Sequence, residues 1–230
     1  MTEFYRHFTY ILRQNPITAL AFGMFGAIVF LAVAGPSLAP FDPLASAPDI
    51  KLMPPNALHW FGTDQLGRDI LSRVLYAIRL DLLISVAAVV LSFFLGSALG
   101  CSAGFWGGWT DRVVGRLTDT IMAFPLFVLA MGIVAAMGNT VENIVYATAI
   151  INLPFYTRVA RAETSIRRTA GFVQAARLSG NGDARILAFQ IFPNALPPMM
   201  VQVSLNMGWA ILNAAGLSFI GLGVRPPEAE

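Results

Sequence analysis

Long charge-free runs alternate with short charged ones along this chain. Residues 14–41, 82–110, 120–141 and 186–224 contain no Asp, Glu, Lys or Arg. A helix of roughly 20 apolar residues crosses a bilayer, so these runs predict at least four spans. A fifth candidate, Asn143–Thr157, lies between Glu142 and Arg158. It is short, and crosses only if its ends reach the headgroup region or protein or water surrounds it. The pattern predicts an all-α integral membrane protein with about five transmembrane helices. The first, Ile17–Ala34, has Ala32-Val33-Ala34 where a signal peptidase would cut. Its apolar run exceeds the roughly 7–15 residues of a signal-peptide core, so it reads as an uncleaved span.

The polar connections carry local signals of their own. Six prolines fall between Pro36 and Pro55, which predicts extended chain on the membrane surface, because proline fixes φ and removes a donor. Thr63 then suits a helix N-cap and Asp64 the first turn of a helix to about Arg79. Asp64/Arg68 and Asp69/Arg73 have i,i+4 spacing. Ile70, Leu71, Val74, Leu75 and Ile78 form one stripe, as in an amphipathic helix at the interface, and Trp60 suits the same depth. Residues 1–79 thus read as one region (span, linker, interfacial helix) and 80–230 as a helical core.

Within that core, Ser92, Gly96, Gly100, Gly104 and Gly108 recur at every fourth position. Small residues at this spacing let membrane helices approach closely. The partner is a helix of this chain or of another one. Trp106-Gly107-Gly108-Trp109 closes span two. Pro125 predicts a kink in span three, Leu117–Met137. Thr140 suits the cap of span four, and Pro154 predicts a bend near its other end. Span five, about Leu196–Ile220, follows Pro193, Pro197 and Pro198. Asn152, Gln202, Asn206 and Asn213 fall inside spans, where lining a passage and bonding between helices explain them equally well.

Charge orients the chain and narrows its chemistry. Only 12 % of residues are charged, about half the roughly 25 % of soluble domains, and the net charge of +2 is too mild for nucleic acid. With the N-terminus in the cytoplasm, ten basic residues lie inside, among them Arg158, Arg161, Arg167, Arg168, Arg177 and Arg185 in one loop, against five outside. Basic residues favour the cytoplasmic side, so the chain reads as N-in with Pro226–Glu230 outside. Lys51 is the single lysine and stands in no Gly-x-x-x-x-Gly-Lys-Ser/Thr loop, so the chain has no P-loop. Two histidines and one cysteine, Cys101, offer no metal or cofactor site and no disulfide within the chain. Cys101 reads as a small packing residue. Asp119 and Glu142 sit at span ends. With no nucleophile, base or metal constellation, the chain is not read as an enzyme.

One segment, Arg158–Gln190, interrupts the apolar pattern without being needed for spanning. Thr169 suits the cap of a short helix Ala170–Leu178, with Phe172, Val173 and Ala176 on one face. Gly180 stands where a helix end favours positive φ. Asp183 suits the cap of a second short helix, Ala184–Ile191, stopped by Pro193. Small Ala175 and Ala176 would let a partner approach the backbone. A plain loop obeying the charge rule would look similar.

The run Gln174-Ala175-Ala176-x-x-x-Gly180, with Pro193 thirteen residues on, resembles the cytoplasmic loop of binding-protein-dependent ABC importer permeases. Phe61-Gly62-Thr63-Asp64-Gln65-Leu66-Gly67-Arg68-Asp69 resembles a signature of their dipeptide/oligopeptide/nickel branch, as do Asn15-Pro16, Leu38-Ala39-Pro40-Phe41-Asp42-Pro43 and Phe219–Val224. The resemblance extends from about residue 14 to 227. It implies a type I importer permease, multi-pass in a bacterial or archaeal inner membrane, moving peptides or a similar small hydrophilic solute. It further implies a homologous second permease, two cytoplasmic P-loop ATPase subunits and an extracytoplasmic solute-binding protein. The coupling loop would lie within 158–192, with Phe172, Gln174, Ala175, Ala176 and Gly180 in the helix that meets the ATPase. Gln174 stands where the pattern has Glu, and Gln190 and Phe192 where it has Ile and Leu. The pattern also continues through one more span after Gly221-Leu222-Gly223, so a last span is expected to be absent here. Other readings are a secondary transporter, or a membrane assembly subunit using Gly96, Gly100 and Gly104.

Overall fold

The computed structural model describes residues 2–223. Val224, Arg225 and the chain end expected outside lie beyond the described residues. The described part is helical: α1 (Thr2–Gln14), α2 (Pro16–Leu38), α3 (Ile70–Trp106), α4 (Gly108–Met122), α5 (Leu126–Met137), α6 (Val141–Arg167), α7 (Gly171–Leu178), α8 (Asp183–Ile186) and α9 (Phe192–Phe219). A π-helical turn, Leu187–Ile191, joins α8 to α9. The chain forms two compact units, divided between Leu82 and Leu83.

In the first unit, α2 starts with Pro16 in its first turn, where the missing N–H costs nothing. The proline-rich segment is not extended on a surface, as its composition suggested. It folds onto residues 62–69, with Ala47 N–H donating to Leu66 O, Leu52 N–H to Asp64 O and Thr63 N–H to Met53 O, each at 3.0 Å. Residues 63–69 accordingly form no helix. Thr63 and Asp69 pair as an isolated bridge, and Gly62 and Gly67 both take φ of +75°. Side chains there would run into the carbonyls of Met53 and Ala47. Helix formation begins at Ile70 and does not pause at Arg79, so the expected interfacial helix and span two are one 37-residue helix, α3. Thr63 does not cap it. Asp69 does, accepting the Ser72 N–H at 2.8 Å.

In the second unit, α6 packs against α4, α5 and α9. Thr140 caps it, its hydroxyl accepting the Asn143 N–H at 3.4 Å, and the helix continues through Pro154 to Arg167. Pro125 does more than kink span three, because α4 and α5 meet there at 89°. Pro193 does not stop the helix before α9. The π turn widens the backbone ahead of it, which relieves the clash proline makes with the preceding turn, so Asp183–Phe219 is one long helix.

By length and composition, α2, α3 and Asp183–Phe219 can cross a membrane, and the bent α4–α5 pair makes a fourth. The short fifth candidate, Asn143–Thr157 (span four), corresponds to α6, which buries Thr148, Asn152 and Thr157. These polar residues lie on the face packed against protein, where apolarity is not required, while Tyr146 and Ile150 on the same helix are exposed. Val89 and Phe93 of α3, Tyr156 and Ala160 of α6, and Ala195 and Met199 of α9 form the core of this unit. The Phe93 and Tyr156 rings meet edge to face at 5.8 Å.

Candidate functional site

Close helix contact positions everything else. The small residues of α3 face α6: a Cβ at Gly96 would lie 2.8 Å from both the Leu153 carbonyl and Tyr156 Cβ, and one at Gly104 2.9 Å from Thr164 Cβ. At Gly100 it would collide with the Thr157 carbonyl. The spacing thus has its partner within this chain. Gly108 is not part of that face; it opens α4 with φ of +55° and has open space around it. Real side chains at Gly96, Gly100 and Gly104 would force α3 and α6 apart, and the backbones could not pack this closely.

At the arginine-rich end, α6 is tied to α4. Arg158 Nη2 lies 2.9 Å from Asp119 Oδ1, and Arg161 Nη2 2.7 Å from Asp111 Oδ2. Arg167 pairs with Glu163. Several of the arginines at this end are therefore locally matched. The Arg158–Asp119 pair is largely exposed and adds little stability.

The chain then turns into α7. Ala170, not Thr169, is its N-cap residue, and no side chain caps it. Val173 and Ala176 are buried against Phe105, Ile186 and Ile191, support that local sequence signals did not reveal. The shared face expected for Phe172 does not form: Phe172 is 40 % exposed and Leu178 91 %. Gln174 and Ala175 are also exposed. The C-terminus closes with Gly180 N–H donating to Arg177 O at 2.9 Å and Asn181 N–H to Ala176 O at 3.1 Å. These are the paired bonds of a Schellman motif, and Gly180 has the φ it needs, +79°. The Arg177 guanidinium lies 5.5 Å over the Phe105 ring, holding α7 to α3. Phe172, Ala175 and Leu178, spaced i, i+3, i+6, thus form an outward apolar strip on a rigid helix. The segment that follows α7 carries an open groove of about 850 Å³ lined by Asn181, Ala184, Arg185, Phe189 and Gln190.

A second feature lies deeper. Asn152 of α6 and Gln202, Asn206 and Asn213 of α9 line one pocket of about 300 Å³, with Phe127, Phe155 and Trp209. All four mid-span carboxamides therefore meet in one place.

In the first unit, the motif around residue 64 is a hydrogen-bonded turn. Asp64 Oδ1 accepts the N–H groups of Leu66 and Arg68 at 2.8 and 3.0 Å, and Oδ2 the Arg68 Nε at 2.7 Å. Asp69 is 3 % exposed. His59 Nδ1 lies 2.9 Å from its Oδ1, and the Ser72 hydroxyl donates to Oδ2 at 2.7 Å. Burial pushes the Asp69 carboxyl up, but the bonds from His59 and Ser72 outweigh it and hold the group below its ordinary range. Asp64 is likewise held low, its backbone and Arg68 bonds outweighing burial. No group of three or more His, Cys, Asp or Glu able to hold a metal occurs among the described residues.

Residues 96–230 match the family described as "Binding-protein-dependent transport system inner membrane component". The chain is 39 % identical over 221 residues to the probable D,D-dipeptide transport system permease protein of Escherichia coli (strain K12), covering 96 % of this chain and 74 % of that protein. It is 39 % identical over 236 residues to the di/tripeptide transport system permease protein of Pseudomonas aeruginosa (strain UCBPP-PA14), covering 100 % and 77 %. A glutathione transport system permease protein of Pectobacterium atrosepticum is 37 % identical over 99 % of this chain and 75 % of its own length. Helices apolar enough for a bilayer, the absence of a P-loop motif and these matches converge: the chain belongs to the binding-protein-dependent transport system inner-membrane family and is a permease subunit of an ABC importer, in which ATP hydrolysis resides in separate subunits.

Proposed function

We propose that this subunit imports short peptides, paired with a homologous permease, driven by two cytoplasmic P-loop ATPases through α7 and fed by an extracytoplasmic solute-binding protein. The observation that carries the reading is the outward strip of Phe172, Ala175 and Leu178 on a helix whose other face is buried. Three exposed apolar or small positions on a rigid eight-residue helix suit a groove on a soluble partner. The relatives named for dipeptides, di/tripeptides and glutathione support the substrate class.

The mechanism follows from connectivity. Force applied to α7 passes through Val173 and Ala176 to Ile186 and Ile191, which lie on the continuous helix Asp183–Phe219. At 1.5 Å per residue that helix is about 55 Å long. A tilt started at its cytoplasmic end displaces Gln202, Asn206 and Asn213 at the pocket. ATP-driven approach of the two ATPases then biases two arrangements of α9 against α6, switching access to the passage. The N-terminus lies in the cytoplasm, which puts α7 on the side of the ATPases.

Gly180→Val tests this. The left-handed backbone at Gly180 excludes a β-branched side chain, while open space surrounds the position, so the spans are undisturbed. In proteoliposomes holding the complete transporter, ATP-driven trialanine uptake should fall at least tenfold with the thermal midpoint almost unchanged. Uptake at the parental rate would rule out coupling through α7.

A further inference from the structure

The pocket of Asn152, Gln202, Asn206 and Asn213 carries no ionisable side chain. Its hydrogen-bonding groups are only partly used. Asn152 Nδ2 donates to the Thr148 carbonyl at 2.8 Å, leaving Oδ1 as an acceptor. Gln202 Nε2 donates to Asn206 Oδ1 at 3.0 Å, leaving Gln202 Oε1 as an acceptor and Asn206 Nδ2 as a donor. Asn206 is 2 % exposed. Its Nδ2, like the Tyr156 hydroxyl, is buried and makes no hydrogen bond. Unpaired buried donors are rare in folded proteins, because nothing offsets their lost hydration. Here the residue that carries one also lines a chamber with spare acceptors.

We infer that this pocket hydrogen-bonds the backbone peptide groups of the passing substrate and reads neither its side chains nor its charge, an inference that rests on the peptide-import reading. A peptide group offers one N–H and one C=O, the complement of a carboxamide acceptor and donor. The pocket supplies acceptors on Asn152 and Gln202 and both an acceptor and a donor on Asn213. The faces of Phe155 and Trp209 give side chains an apolar, sequence-tolerant surface. Neutral bonds are also weak enough to release what they hold, which a passage requires. A charged side chain here would trap peptides of opposite charge and exclude those of its own.

The test is uptake by the complete transporter in proteoliposomes at saturating loaded binding protein, so that the rate reports passage. Trialanine is compared with its counterpart in which one peptide N–H is replaced by ester oxygen, and with Ala-Lys-Ala and Ala-Glu-Ala. The parent should pass trialanine roughly three- to tenfold faster than the ester, the worth of one neutral hydrogen bond, and the two charged peptides within about twofold of each other. Asn213→Leu and Asn152→Leu should bring the amide-to-ester ratio toward one. Loss of assembly alone does not change a ratio of two rates. Asn213→Asp should make Ala-Lys-Ala faster than Ala-Glu-Ala. Equal amide and ester rates in the parent, or a ratio unmoved by both leucine variants, would overturn the inference while leaving peptide import standing. No ATP-driven uptake of any of these peptides by the parent would instead sink the import reading, and this inference with it.

Discussion

At the scale of single residues, the sharpest constraints are glycines that touch backbone and one buried carboxylate. Gly100 faces the Thr157 carbonyl, whereas Gly132 has nothing within 4 Å of where a Cβ would be. Gly100→Ala should therefore cost about 1–3 kcal/mol by overpacking, and Gly132→Ala should be neutral or stabilising by up to about 1 kcal/mol through helix propensity. Thermal melts of the purified complex compare the two directly. Asp69 gives a pH dependence whose sign is set by its lowered pKa. Its stabilisation is complete above the ordinary carboxylate value of about 4 and is lost as pH falls through the lower folded value. Asp69→Asn replaces one acceptor with a donor and sets it against His59 or Ser72, at about 1–3 kcal/mol. Cleavage by a lysine-specific protease at Lys51, the single lysine, should speed up roughly tenfold in the variant as the loop opens more often. In the parent it should do so only in strong acid, read by brief acid exposure and amide exchange. The four-residue spacing of small side chains was legible because it is a local periodicity. The role of Asp69 was not, because its partner His59 and the proline-rich segment that folds onto residues 62–69 are placed by tertiary pairing.

At the scale of elements, the misread boundaries share one cause. Proline and capping rules describe an isolated helix, and packing overrode them at three places. Pro125 became a near right-angle break between α4 and α5, and Pro193 was absorbed by the π turn at Leu187–Ile191. Residues 63–69 passed from an expected helix to a turn because the proline-rich segment offered backbone partners. The cap of α6 at Thr140 and the glycine end of α7 at Gly180 were legible, since each is closed by its own neighbours. The outward direction of Phe172 was not legible; helical spacing alone put it with Val173, and only the position of Phe105, Ile186 and Ile191 decides which face is covered. The same geometry separates two substitutions on α7. Leu178→Asp changes an exposed side chain and should abolish partner binding with the melting temperature unmoved. Val173→Asp puts a carboxylate among apolar side chains and should destabilise the loop outright, by several kcal/mol. Circular dichroism melts beside a binding assay distinguish them.

At the scale of the whole molecule, orientation ties the parts together. Charge-free runs made the all-helical membrane class legible, and the arginine bias gave a direction, but neither could show that α6 buries its polar face against α3, α4, α5 and α9 or that four carboxamides converge. We propose that α7 is cytoplasmic, which makes Lys51 extracytoplasmic; in spheroplasts an added lysine-specific protease should then cut at Lys51, and an added arginine-specific protease should leave Arg158–Arg185 uncut until the membrane is opened. The central claim is that α7 is where the ATPases grip this subunit. Its most direct test is purification of the tagged chain from its own membrane in mild detergent, as the parent and as Leu178→Asp, followed by identification of the bound polypeptides. The account predicts a P-loop ATPase with the parent, its loss from the variant, and retention of the second permease in both. An ATPase bound equally to the two, or to neither, would contradict it.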